Sequence, residues 1–415
     1  MMQHVGMQIR KLRKEKNLTL QQLAGERLTK GMLSLIENGK AQPSMESLHY
    51  IAEQLGVPIT ILLHDETSSE AASVVTHIES VLEAYNHLPT EEAREALRIR
   101  ELKKLQQFIE KSTFKTFAEV DVYYYYASYF TLELSEEKER LLRNVMQHYE
   151  RFHTASHVVR CYLRLIEMYF SHRRYEEAYA IALEAHDYIE QHDKHIDVLR
   201  KIDIYYFIVA LASAIGQKQM SRTYTDKILA LCKEFRVYYN TNELYRLRFS
   251  ESIVENPEEA RYFLTKMEQF ATFTEDATEQ TFFELVRIYY VVHVEKDYTQ
   301  ALSLANSMTN SDVSFFKELF ECMMFGIKGM IYYYLQRYDE ALAQLTHFHV
   351  VDQAPHPFDL CNDYCKIAMR GVCYIERGDV EQGCNDIRYA YEQTKPFVDN
   401  MYKNEIKQFY DNYCT

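Results

Sequence analysis

An all-α protein is predicted, with a small N-terminal helical head followed by an array of helical hairpins. Three observations carry this. The 415 residues contain only 11 Gly and 7 Pro, with 34 Tyr and no Trp, a composition of long helices and short turns rather than strands. Five short helices can be read off the first 63 residues from caps and apolar spacing. Beyond them, one local pattern returns at intervals of 37 to 45 residues, the length of two helices and their turns.

In the head, Val5, Ile9 and Leu12 with basic residues between them predict a helix over 5–16 with one cationic face. Thr19 caps a second helix, and Gln22 closes a capping box with it while Leu23 and Ala24 turn inward. A tight connection near Arg27 leads to a third helix, about Lys30 to Asn38, stopped by Gly39. Pro43-Ser44 opens a fourth with Leu48, Ile51, Ala52 and Leu55 inward, and Gly56-Val57-Pro58 ends it. Ile59 to Leu63 forms a short fifth. The polar, small run at 65–72 (DETSSEAA) suits a linker, so the expected organisation is a head at 1–64, a linker at 65–72 and a repeat domain at 73–415.

In that domain Arg174-Tyr175-Glu176-Glu177-Ala178, Lys296-Asp297-Tyr298-Thr299-Gln300-Ala301, Arg337-Tyr338-Asp339-Glu340-Ala341 and Gly378-Asp379-Val380-Glu381-Gln382-Gly383 share one pattern. Weaker matches fall at Met220 to Thr223 and Pro257 to Ala260. Taking positions 178, 223, 260, 301, 341 and 383 as markers, Tyr169, Val292, Tyr332 and Tyr374 recur nine residues earlier, and Gly329 and Gly371 twelve earlier. This is a tetratricopeptide-like arrangement, in which small residues let paired helices approach, so a helical-hairpin solenoid is expected. Residues 73–160 have room for two or three degenerate hairpins. Tyr123 to Tyr126 in that stretch are expected to pack with their hydroxyls at the rim.

The chain is acidic, with 47 Lys+Arg against 61 Asp+Glu, but residues 1–64 carry +3 and the remainder −17. Positive potential is therefore local, concentrated at Arg10 to Lys16, and the acidic body repels phosphates. No stretch reaches the ~18 uncharged apolar residues of a membrane span and no signal core opens the sequence, so a cytoplasmic protein with reduced thiols is expected. Cys361-x3-Cys365 with Cys373 and His356 falls in a helical pattern and lacks a second compact pair, so buried thiols rather than metal ligands are expected, and no cofactor. No G-x-G-x-x-G, G-x-x-x-x-G-K, G-x-S-x-G or H-E-x-x-H occurs, and His186, His192 and His195 read as surface residues; no enzyme is expected and no catalytic residue is assigned.

Leu18 to Gln22, Leu33 to Lys40 (LSLIENGK) and Pro43-Ser44 carry a resemblance of residues 4–63 to the Xre/Cro-type helix-turn-helix. With the repeats behind it, the whole chain resembles the peptide-sensing Rap–Rgg–NprR–PlcR–PrgX regulators, and its length is most similar to the NprR type. The resemblance implies a homodimeric transcription factor on palindromic double-stranded DNA, switched by a short signalling peptide (quorum sensing) held in the concave groove of the repeats. It also implies an alternative in which the repeats bind a response regulator and promote its dephosphorylation.

For DNA the resemblance selects Thr29, Lys30, Gly31, Met32 and Ser34 on the third helix, Asn38 and Lys40 at the turn that follows, and Arg10 and Lys14 for phosphate neutralisation. Leu20 stands where relatives place a polar phosphate contact. Gly31 costs about 1 kcal/mol of helix propensity relative to Ala. Base reading would then rely on Lys30, methyl contacts and DNA shape. For the peptide, repeat geometry selects Arg160 and Glu167, Asn242 and Tyr245, Tyr290 and His293, and Tyr333 as concave-face residues. An Asn can clamp a peptide unit through one donor and one acceptor, and Arg160 can take a carboxylate.

Overall fold

The computed structural model describes residues 2–41, 43–63, 70–85, 91–129, 135–308, 317–350 and 356–414, and every regular element among them is helical. α1 (Met2–Glu15) buries Val5 and Ile9. α2 (Leu20–Ala24) begins at the expected capping box: Thr19 Oγ1 accepts from the Gln22 amide at 3.2 Å, and Gln22 Oε1 accepts from the Thr19 amide at 2.8 Å. α3 (Lys30–Glu37) starts after Thr29, whose hydroxyl accepts from the Met32 amide at 3.1 Å, and Asn38 closes it. α4 (Met45–Leu55) is capped by Ser44 and ended by Gly56 at φ 59°, and α5 (Ile59–Leu63) follows. Ile9, Leu23, Leu33, Ile36, Ile51, Leu55 and Leu62 meet in one cluster. Each such side chain stabilises the head by about 1.5–3 kcal/mol.

Of the expected linker, residues 65–69 lie outside the described residues, while 70–72 already belong to α6 (Glu70–Tyr85). With α7 (Glu91–Ile109), α8 (Phe117–Tyr129) and α9 (Glu136–Arg151), α6 makes two hairpins' worth of helix before the regular repeats. Tyr123, Tyr124 and Tyr125 are buried there. The array continues as α10 (Ala155–Ser171), α11 (Tyr175–Gln191), α12 (Val198–Ala214), α13 (Lys218–Phe235), α14 (Thr241–Ser252), α15 (Pro257–Thr274), α16 (Ala277–Tyr290) and α17 (Tyr298–Ser307). It ends with α18 (Lys317–Tyr334), α19 (Tyr338–Leu345), α20 (Pro357–Glu376), α21 (Val380–Thr394) and α22 (Met401–Tyr413). The chain divides into two compact units, Met1–Met168 with Ala185–Arg200, and Tyr169–Glu184 with Lys201–Thr415.

The repeat markers have a common structural meaning. Ala178, Ala260, Ala301, Ala341 and Gly383 each stand fourth in their helix, and the four alanines are completely buried. The match at Thr223 is corrected: Thr223 is exposed, and the fourth residue of α13 is Ser221, with no exposed surface. Five positions before five of these six residues, at Arg173, Gly216, Lys296, Gln336 and Gly378, φ lies between 56° and 89°. That left-handed residue makes the tight turn between helices. α15 enters differently, through an Asn256 cap and Pro257 in its first turn.

Two glycines set the closest helix approach. A Cβ on Gly383 would lie 2.4 Å from the Gly371 carbonyl oxygen, and one on Gly371 would lie 2.5 Å from the Gly383 carbonyl oxygen, so α20 and α21 touch backbone to backbone. After α16 the chain continues as one π turn, Val291–Glu295, before Lys296 and the Asp297 cap of α17.

Candidate nucleic-acid interface and ligand cavity

The exposed side of α3 carries Lys30, Gly31, Met32 and Leu35, with Met32 and Leu35 more than two-fifths exposed. Ser34 is half-buried, and Asn38 and Lys40 are exposed beyond the helix end. Thr29 is held at the N-terminus as the cap. Asn38 Nδ2 donates to the Ser34 carbonyl at 2.7 Å, so its amide group closes the helix and leaves its oxygen outward. Arg10 and Lys14 are exposed on α1. The basic cluster is smaller than its sequence, however. Arg13 donates to both Glu37 carboxylate oxygens, at 2.6 and 2.8 Å, and to the Leu18 carbonyl at 2.9 Å, and is withdrawn from phosphate contact. Within the first unit the head rests on the repeats through His49 of α4, whose Nε2 lies 3.0 Å from the His153 carbonyl oxygen and whose ring centroid is 4.6 Å from that of His195.

The second unit contains a cavity of about 340 Å³ lined by the first helices of successive hairpins, α14, α16, α18 and α20, together with α22. Phe249, Phe282, Leu285, Val286, Leu319, Met323 and Phe358 form apolar walls. On the polar side Arg246 Nε donates to Glu243 Oε2 at 3.0 Å and Nη1 to both Asp359 oxygens at 3.3 Å, while Lys366 Nζ donates to Asp363 Oδ1 at 2.8 Å. Burial opposes both cations, yet Asp359 and Glu243 lift the Arg246 pKa above its ordinary range, and Asp363, with Tyr289, does the same for Lys366. Both stay charged. Asn362 Nδ2 donates to the Tyr289 hydroxyl at 3.0 Å, but Asn362 Oδ1 is buried with no partner among the described residues. Asn242, adjacent in sequence to Glu243, donates through Nδ2 to Glu279 and likewise has a buried, unpartnered Oδ1.

Residues 9–62 match the helix-turn-helix family. The head is a helix-turn-helix domain. Among solved structures, a tetratricopeptide repeat protein from Parabacteroides merdae is similar at 13% identity, over 76% of this chain and 99% of that one, with a TM-score of 0.44. NprR in complex with its cognate peptide NprX is similar at 14% identity over 68% and 86%, with a TM-score of 0.47. Bacillus thuringiensis PlcR in complex with the peptide PapR7 and DNA is similar at 16% over 66% and 98%, with a TM-score of 0.39. A comparison with curated proteins finds no match. No helix among the described residues is long and apolar enough to cross a membrane.

The helix-turn-helix domain presents the residues expected of its third helix, apart from Thr29, which is occupied as a cap. The expected peptide residues are placed less simply. Arg160 belongs to the first unit, where it donates to Asp121 at 3.0 Å and Tyr149 at 2.8 Å and lies 3.8 Å from the Tyr124 ring centroid; Glu167 accepts from Arg164 at 2.6 Å. In the second unit Tyr245 packs on Phe263, Tyr290 accepts from Arg261 at 2.9 Å, and Tyr333 packs on Phe409. His293 is half-buried, 3.1 Å from the hydroxyl of Tyr402, which lines the cavity. None of the seven lines the cavity. Their neighbours do: Glu243 beside Asn242, Arg246 beside Tyr245, Tyr289 beside Tyr290. One residue is about 100° of helix rotation, so a register displaced by one position turns a groove face into a packing face.

Asp359, Asn362, Asp363 and Lys366 were not expected from the repeat pattern. Their spacing of three, four and seven marks one polar stripe on α20, a helix otherwise buried at Leu360, Cys361, Tyr364 and Cys365. That stripe was the available signal. The α20 thiols sit in the core, and burial pushes Cys361 up to about 11 and Cys373 up to about 12.

Proposed function

We propose that this protein is a transcriptional regulator whose helix-turn-helix domain binds palindromic duplex DNA as part of a homodimer, and whose second unit binds a short signalling peptide in the cavity between α14, α16, α18, α20 and α22. The observation that carries the peptide reading is Asn362 in the cavity lining, with a buried side-chain oxygen that has no partner among the described residues. A buried acceptor without a partner costs about 1–3 kcal/mol, and a peptide N–H entering the cavity would remove that cost. The adjacent amide nitrogen is already held by Tyr289, so the oxygen is oriented before a ligand arrives. Asn242 has a second unpartnered amide oxygen of the same kind but does not line the cavity, so the proposal rests on Asn362.

Two measurements test the reading. Selection from random duplex DNA should return an inverted repeat, and the complex should weigh as two chains; recovery of no sequence would remove the DNA half. Peptide binding should raise the melting temperature of the full chain, by about 2.7 kcal/mol of added stability at a hundredfold excess over Kd. Asn362→Ala should abolish that rise, and a rise unchanged in Asn362→Ala would move the ligand elsewhere.

A further inference from the structure

The charge layout of the cavity says what kind of peptide it takes. Five charged side chains line it, three acidic and two basic, so the lining carries a net charge of −1. Both cations lie deeper than Glu243 and Asp359, while Asp363, at 16% exposure, lies between the two cations in depth. Lys366 is 4% exposed and Arg246 19%, whereas Glu243 is 40% exposed and Asp359 30%. Each cation is already engaged: Arg246 by Glu243 and Asp359, Lys366 by Asp363. Asp359 uses both its oxygens on Arg246, but the other two acids each leave one over. Glu243 Oε1 and Asp363 Oδ2 accept nothing among the described residues. An incoming anion would therefore meet the outer carboxylates before the neutralised cations behind them. An incoming cation would meet two carboxylate oxygens with lone pairs to offer.

Apart from Ser250, Asn362 and the hydroxyls of Tyr289 and Tyr402, the remaining wall is apolar. Phe249, Phe282, Val286, Leu319 and Met323 face the same space, and nothing polar among them could bind a second charge. A ligand that fills the cavity brings a bulky aliphatic or aromatic side chain against that wall.

We propose that the cavity selects a peptide with a protonated nitrogen next to a bulky apolar side chain, the cation bound between Glu243 and Asp363 and the apolar group seated on Phe282, Val286 and Met323. This rests on the peptide reading given above and adds the ligand's charge and shape to it. The same protonated nitrogen can come from a Lys or Arg side chain or from the peptide's own N-terminus. The Asn362 oxygen then receives a backbone N–H, which fixes the direction in which the peptide lies.

The test uses the full chain and two pooled libraries of random heptapeptides, one with free N-termini and one N-acetylated, with bound peptides sequenced by mass spectrometry. Enrichment of Lys or Arg beside Leu, Ile, Phe or Met is expected in the acetylated library, by about tenfold over Asp or Glu at the same position. If the N-terminus is the source, a free-amine library enriches the apolar residue at position one or two, and acetylation removes that binding. In Glu243→Gln, which leaves Arg246 its bond to Asp359, the preference for the cation should fall several-fold while the apolar preference stays. As a check that does not depend on a variant, a selected peptide and its Lys→Gln counterpart are compared on the wild-type chain. The charged peptide should bind about tenfold tighter at low salt, with the gap narrowing as salt rises. Enrichment of acidic residues, or binding indifferent to charge in both measurements, overturns the proposal and leaves the peptide reading standing. A chain that retains no peptide from either library overturns both.

Discussion

Arg13 holds Glu37 by two parallel hydrogen bonds, and Glu37 is the acidic residue of the SLIENGK turn. The pair ties α1 to the last turn of α3. Both side chains are largely withdrawn from water, at 12% and 4% exposure. The guanidinium pKa is raised, first through its bond to Glu37 and against the effect of burial. A sequence feature that reads as a DNA signature thus serves partly to hold α3 in place.

Removing one partner should cost more than removing both. Glu37→Ala leaves a guanidinium in a low-dielectric site and is expected to lower stability by about 3 kcal/mol. Arg13→Leu with Glu37→Leu should recover much of that loss in urea melts. A single variant as stable as wild type would show that the pair contributes nothing to the head.

Phosphate contact should be separable from base reading. Lys30→Ala and Lys40→Ala should each weaken duplex binding, and a lysine that touches phosphate should lower the slope of log affinity against log salt by about 1. Met32→Ala should leave that slope alone and relax sequence preference, since an apolar side chain reads thymine methyl groups rather than charge. Anisotropy titrations at several salt concentrations on specific and scrambled duplexes distinguish the two.

The contact between Gly371 and Gly383 predicts intolerance of a single methyl group. Gly383→Ala puts a Cβ 2.4 Å from a backbone oxygen, which no rotamer change can relieve. The helices must separate, at about 1–3 kcal/mol. Gly378→Ala, where a Cβ would meet nothing within 4 Å but φ is 89°, should destabilise through backbone strain alone. Thermal melts of the two variants compare steric and conformational cost within one hairpin.

Stability should fall with acid before the carboxylates titrate. Burial, then the charge of Lys366, pushes His293 down to about 4; burial, then Arg160 and Arg200, pushes His157 down to about 3. Both folded values lie below the ~6.5 of an unfolded histidine, so the unfolded chain binds more protons as pH drops. Their contribution is complete above about pH 6.5 and is lost as pH falls through the folded values, at up to about 1.4 kcal/mol per pH unit for each histidine. Urea midpoints at pH 7, 6 and 5 give the slope, and His293→Gln should reduce it by one proton.

The helix-turn-helix domain was legible because its signals are local. Thr19 and Gln22, Ser44 and Gly56 act within one turn of themselves, and each does in the structure what its residue type implies. The repeats were legible for a similar reason, since a small residue is required wherever the second helix of a hairpin crosses the first. The marker falls on Ser221 rather than Thr223 because no alanine or glycine stands at the start of α13 to fix its position, and only burial distinguishes the two. The cavity was less legible. Its lining depends on rotation about each helix axis, and the single step separating Tyr290 from Tyr289 is invisible to a pattern with no absolute phase. The α20 stripe was visible as spacing but carried no hint of what faced it.

The π turn at Val291–Glu295 places an additional residue inside a helix while the hairpin turn after it, with Lys296 and Asp297, keeps the same form as its siblings. A helix of this array can therefore take up a residue without altering the corner that follows it. Insertions of one residue need not disturb how neighbouring hairpins join, so lineages of such a protein can drift in repeat length without losing the stack. The spacing from Ala260 to Ala301, across the π turn, is 41 residues beside 40 to Ala341, so the corner keeps its place although the helix before it is wound differently.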